Sequence, residues 1–244
     1  MRPDVHQGRE AAVVLRGLMH EHAAPSVHDI VQHMLGVLPE LDESDQRLSL
    51  VLYRELARGA PVPPSLLATR LGTSVAKVDQ RLANWPGIHR DEQQRIVGYW
   101  GLTIVPTRHG LRVGERDLYT WCAWDTLFIP ALLGAHAQVQ SACRDTDSPV
   151  RLVVGPDALE AASPENLWVS FVLPSAESMR RDLRASFCQN VHFFRSPDLA
   201  ALHRVLPPSA FVLTLADAFE VGRARNRSRY RLVADLLTVT SEAR

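Results

Sequence analysis

Lysine is nearly absent from this 244-residue chain: of its 27 basic residues, all but Lys77 are arginine. That bias reads as codon usage rather than as a binding signal. An excess of one charge is missing too, because 27 acidic residues cancel the 27 basic ones. A nucleic-acid binder usually carries a basic surplus, so that class is disfavoured. Long apolar runs are lacking. Nothing approaches the roughly 20 continuous residues of a membrane span, and the run from Ala11 to Leu15 is too short for a signal-peptide core. A cytoplasmic protein without membrane contact is expected. Cysteine is scarce, with only Cys122, Cys143 and Cys188. An odd count without a secretion signal argues against a disulfide framework. The absence of any Cys-x-x-Cys pair argues against a thioredoxin-type couple or a zinc ribbon. No GxGxxG or GxxxxGK[ST] loop is present, so a nucleotide-binding α/β fold is not expected.

What is present is an ordinary globular composition, 46% apolar and 22% charged, which excludes a disordered or fibrous chain. Residues 1–44 read as an N-terminal extension. His20, His22, His28 and His33 are scattered there at no metal-site spacing, and Ser26 is a plausible N-cap for a helix through Met34 and Leu35. Residues 45–105 read as a winged-helix-like module. Leu48, Val51, Leu52 and Leu56 share one helical face, Pro63-Pro64 opens a second helix that stops at Gly72, and Thr73 or Ser74 caps a third. Runs beginning at Arg95 and Leu102 then suggest a strand pair. The third helix offers only Lys77 and Arg81 against Asp79, too little charge for a DNA reader. Residues 106–244 mix short strands with helices, and the fold class expected is α+β. Strands are predicted at Arg151–Val154, Trp168–Leu173, Val191–Phe194 and Ala210–Leu213. Helices are predicted at Thr126–Gly134, Ala176–Phe187, Asp198–Arg204, Leu215–Val221 and Ser228–Leu237.

The densest chemistry lies in Tyr119-Thr-Trp-Cys122-Ala-Trp124-Asp125-Thr-Leu-Phe128. If that segment is helical, Cys122 and Asp125 share a face and converge. Alternatively, Asp125 caps a helix starting at Thr126 and Cys122 belongs to the core. A carboxyl among Trp121, Trp124 and Phe128 would be desolvated and its pKa raised, as a general acid requires. A second cysteine, Cys188, stands at the edge of Val191-His192-Phe193-Phe194. Cys188 and His192 could form half a zinc site on a helix, but in a strand they lie about 13 Å apart. Two separated thiols and one acid suit a soft, two-coordinate metal better than tetrahedral zinc. Paired thiolates bring electron density onto such a metal and weaken its bond to carbon, while the acid protonates the departing carbon.

Trp121-Cys122-Ala-Trp124-Asp125-Thr-Leu127 and Ser186-Phe-Cys188-x-x-Val-His-Phe-Phe194 closely resemble the two signature segments of the organomercurial (alkylmercury) lyases. The resemblance runs from about Leu48 to Leu237. It takes in Gly98-Tyr-Trp-Gly-Leu-Thr103, Ser141-x-Cys143 and Ala218-Phe-x-x-Gly222-x-x-x-Asn226-Arg227. It implies protonolytic cleavage of the carbon–mercury bond to a hydrocarbon and Hg(II). It further implies Cys122 and Cys188 as mercury-binding thiols, Asp125 as the carboxylate that relays the proton and contacts the metal, and Cys143 as structural. No cofactor is implied. Solution thiols would remove Hg(II), and mercuric reductase would accept it, from a monomer or homodimer. The chain departs from the family at Gln189, where some members have a second cysteine, and at Trp124, where a smaller aliphatic residue is usual. A different class, a winged-helix mercury- or arsenic-responsive regulator with cysteine sensors, is the alternative; a metal-sequestering protein is a third. Asp125 discriminates, since neither a sensor nor a trap needs a buried acid beside its thiol.

Overall fold

The computed structural model describes residues 25–83, 85–198 and 203–237. His20, His22 and residues 199–202 of the predicted helix Asp198–Arg204 lie outside these. As expected, the Ser26 side chain accepts from the Asp29 amide and caps α1 (Val27–Val37), which buries Ile30, Val31 and Met34. Asp42 caps α2 (Glu43–Leu56), whose apolar stripe includes Leu48, Leu52 and Leu56. Proline at the start and left-handed Gly72 at the end delimit α3 (Pro64–Leu71). Ser74 caps α4 (Val75–Leu82). An unpredicted strand β1 (Ile88–Arg90) then pairs antiparallel with β2 (Ile96–Tyr99), and β2 pairs in turn with the run at Leu102, as the sequence suggested. This is the helix-turn-helix-like module read from the sequence. Its third helix is still poorer in free charge than its sequence, because Arg81 pairs with Asp42 and Asp45. No helix among the described residues is long and apolar enough to cross a membrane.

The module does not end where its helices end. Strand β3 (Leu102–Thr103) pairs on one side with β2 and on the other with β5 (Arg116–Thr120). The wing strands therefore join an eight-stranded antiparallel sheet that crosses the boundary expected near residue 105. With β4 (His109–Val113), α5 (Asp125–Leu133), β6 (Ala137–Ala142), β7 (Pro149–Val154) and β8 (Leu159–Ser163) in chain order, the strand order is β1-β2-β3-β5-β4-β6-β7-β8. Ala137 and Val139 of β6 are buried while Gln138 and Gln140 are exposed, the alternation of a sheet with one wet face. A second sheet places β9 (Trp168–Phe171) between β10 (Phe193–Phe194) and β11 (Phe211–Thr214).

Several expected elements differ in extent. The predicted helix Ala176–Phe187 is broken into α6 (Ala176–Arg181) and α7 (Leu183–Ser186). Extended Asp182 interrupts it and caps α7 through the Ala185 amide. The predicted strand Val191–Phe194 shrinks to Phe193–Phe194, and Cys188–Asn190 is a 3-10 turn. Leu215–Val221 is the first half of the longer α8 (Leu215–Arg229), and a 3-10 turn at Arg231–Val233 and α9 (Ala234–Leu237) follow.

Helix α5 is apolar on every side and is correspondingly buried, from Asp125 through Pro130. It packs against α8 at close range. A Cβ on Gly222 would stand 2.7 Å from the Phe128 Cβ. The Asn226 amide donates to the Phe128 carbonyl at 3.0 Å, and the Trp124 indole donates to the Ala218 carbonyl at 2.9 Å. Gly222→Ala is therefore expected to cost about 1–3 kcal/mol through overpacking. Urea denaturation should show a lower midpoint with an unchanged slope. A loss below about 0.5 kcal/mol would mean that α8 moves away freely.

Candidate active site

Three side chains from two chain segments meet in the interior. The Cys122 sulfur, an Asp125 carboxylate oxygen and the Cys188 sulfur all lie within 4.8 Å of one another, and all three residues are buried. The sequence-predicted trio is thus brought together. His192 is not part of this group; its Nε2 bonds the Gln189 carbonyl at 2.8 Å, which ends the half-zinc reading. Cys143 is also apart. It closes β6, where its amide donates to the Ser148 carbonyl and its carbonyl accepts from Asp147 and Arg108.

The local geometry differs from both sequence readings. Cys122 lies in the turn after β5 rather than on a helix, and Asp125 is the first residue of α5 rather than its cap. The carboxylate faces backwards, and its Oδ2 accepts from the Cys122 amide at 2.9 Å. Thr120 and Thr126 pin the turn, donating to the carbonyls of Cys122 and Ala123 at 2.9 and 2.7 Å. The Ala123 amide donates to the Val191 carbonyl, which stitches the turn to the Cys188 segment. Ser170 of β9 fixes that segment in turn, donating to the Asn190 carbonyl and accepting from the His192 amide. Gly101, in the tight turn between β2 and β3, is a site residue that the sequence did not single out. Its φ is +99°, and a Cβ there would come within 2.4 Å of the Asp125 carboxyl. Only glycine leaves room for the acid.

The environment controls the protons. Burial pushes the Asp125 pKa up to about 7, while hydrogen bonds from Cys122 and the charge of Arg225 oppose that rise. Burial, together with the hydrogen bond to Cys188 and the Asp125 charge, drives the Cys122 thiol well above its ordinary range. Its hydrogen bond to Cys122 favours the Cys188 thiolate, but burial and the Asp125 charge outweigh it and the net shift is upward. At rest the site therefore holds two thiols and an acid poised to gain or lose a proton near neutrality. Trp124 packs tilted against Phe128 and edge-to-face against Phe171 and Phe187, with ring centroids 4.7–5.8 Å apart, an aromatic wall beside the acid. Asp125 and Cys188 line a cavity of about 20 Å³, which Met34 of α1, the capping residue Leu38 that follows it, Met179 and Leu183 also line. Such a volume holds about one water molecule.

Comparisons with known proteins agree with this geometry. The family model described as alkylmercury lyase matches residues 102–226, and the model for the helix-turn-helix domain of alkylmercury lyase matches residues 29–100. An alkylmercury lyase of Staphylococcus epidermidis is 44% identical over 70% of this chain and 78% of its own. One from Pseudomonas putida is 41% identical over 72% of this chain and 81% of its own. The crystal structure of the mercury-bound form of MerB2 superposes with a TM-score of 0.65 at 26% identity, covering 82% of this chain and 98% of that one.

The raised Asp125 pKa makes a stability prediction. The unfolded carboxyl ionises near 3.8 and the folded one near 7. Between those values the folded state binds the extra proton, so Asp125 makes stability fall as pH rises through that window. His109, buried and depressed from 6.5 to about 3, has the opposite slope. The difference between Asp125→Asn and wild type isolates the acid. The variant should gain on the order of 2–4 kcal/mol relative to wild type between pH 4 and pH 8. Thermal unfolding of both proteins at several pH values measures it; a pH-independent difference would return Asp125 to an ordinary carboxylate.

Proposed function

The chain belongs to the alkylmercury lyase family, and from that premise we propose that it cleaves the carbon–mercury bond of organomercurials by protonolysis, with Cys122, Cys188 and Asp125 as its catalytic and mercury-binding residues. The observation that carries this reading is the meeting of two buried thiols and one desolvated acid within 4.8 Å. A single thiol binds an organomercurial without breaking it. Two thiolates on one mercury load the metal with electron density and turn the carbon into a leaving carbanion, provided a proton is delivered to it. Asp125 accepts a proton released as a thiol binds the metal and holds it, because desolvation favours its neutral form. The overall exchange balances: R–Hg–X and two thiols give the bis-thiolate of Hg(II), the hydrocarbon R–H and H–X.

In this reading the protein needs no resident cofactor. Hg(II) leaves by exchange with solution thiols and passes to mercuric reductase, in the cytoplasm, from a monomer or homodimer. The regulator alternative finds no support in the helical module, whose Arg81 is engaged by Asp42 and Asp45.

Incubation with methylmercury or phenylmercury and excess thiol should release methane or benzene. Cys122→Ala and Cys188→Ala should each abolish release, and more than a tenth of wild-type activity in either would defeat the two-thiol mechanism. Asp125→Asn should still retain mercury yet cleave at least ~100-fold more slowly. Near-normal hydrocarbon release by that variant would assign the proton to a thiol. Cys143→Ser should keep turnover while losing about 1–3 kcal/mol of stability, as a buried hydroxyl short of partners does; a stable but inactive variant would bring Cys143 into the chemistry.

A further inference from the structure

Helix α8 carries two buried guanidinium groups one turn apart, Arg225 at 2% exposure and Arg229 at 8%. Neither has a carboxylate ion-pair partner among the described residues. Arg229 is accounted for by packing. It lies over the Trp100 ring and donates to the Pro39 carbonyl at 2.9 Å. Arg225 is not accounted for in the same way. One Nη donates to Asn226 Oδ1 at 2.9 Å and the guanidinium lies 4.8 Å over the Phe128 ring, but its buried Nε has no hydrogen-bond partner. An uncompensated buried cation is costly, and a like charge at i+4 adds to that cost. Of the residues that line the closed cavity, only Asp125 and Arg225 bear formal charge; the rest are apolar residues, Gly101 and Cys188.

Mercury binding adds negative charge to the cavity that Arg225 shares with Asp125 and Cys188. Hg(II) held by two thiolates and one carboxylate carries a net charge of −1. We infer that Arg225 is the counter-cation of the mercury-loaded site, a positioning residue that acts through the field it sets up across the cavity and not by touching the metal. The inference rests on the lyase reading of the same site. It gives the orphaned Nε a purpose, since Arg225 lines the same cavity as Asp125 and Cys188, whose negative charge grows as the thiols lose their protons. It also explains why a guanidinium stands where a methionine would pack: a permanent charge cannot be neutralised when the interior turns anionic. The Arg225 charge favours the ionised form of Asp125.

The test uses the full-length protein loaded with Hg(II) alone, titrated with a competing dithiol. Arg225→Gln keeps a donor and removes the charge, and should lose Hg(II) to the competitor at least ~10-fold more readily than wild type. Arg225→Lys keeps the charge and should stay within about threefold. The melting temperature of unloaded Arg225→Gln should hold or rise, because an unpaired buried charge has been removed. Wild-type retention by the Gln variant overturns the inference. So does equal loss in the Gln and Lys variants, or failure of both to fold, since either makes the role one of shape. A wild-type protein that holds Hg(II) but releases no hydrocarbon from phenylmercury would sink the lyase reading while leaving this measurement to stand on its own.

Discussion

Everything near the centre of this molecule follows from the burial of one carboxyl. Asp125 is removed from water by Trp124 and Phe128, and it keeps its place because the Cys122 amide bonds it from below and Gly101 makes room above. Burial alone would make the acid inert and permanently neutral. Three nearby donors and the Arg225 charge pull it back, so it sits at the edge of ionisation. The same desolvation holds both thiols in their protonated form. The site therefore holds its protons near neutrality.

The scaffold serves that arrangement by bringing two distant segments to one point. Cys122 and Asp125 hang from the end of β5, a strand held in the large sheet, and Cys188 hangs from a turn that Ser170 of the small sheet grips. A single backbone bond, Ala123 to Val191, joins the two. The helical module is not an appendage to this. Its wing strands continue the large sheet, and Trp100 and Gly101, at the turn that leads out of the wing, form part of the cavity wall.

The helical half was legible in the sequence because each helix carries its own punctuation. Ser26, Pro64, Gly72 and Ser74 mark their ends with local chemistry that needs no tertiary context. The site trio was legible because cysteine is rare here and an acid within an aromatic run is conspicuous. The strands β1, β4, β5, β6 and β8 were not. Segments such as Arg116–Thr120 and Leu159–Ser163 are half polar and gain their strand character from neighbours rather than from composition. The break at Asp182 was hidden because that residue lies in an otherwise helical pattern and acts as a cap. Arg225 was invisible for a different reason: along an arginine-rich helix, nothing in the sequence says which guanidinium points inward.

The closed cavity carries a kinetic meaning. With room for about one water molecule, the cavity is smaller than an organomercurial, so reaching Asp125 and Cys188 requires that the wall to which Met34, Met179 and Leu183 contribute has parted. The apparent affinity is then the intrinsic affinity scaled by the fraction of time spent parted. Tightening that wall would slow loading.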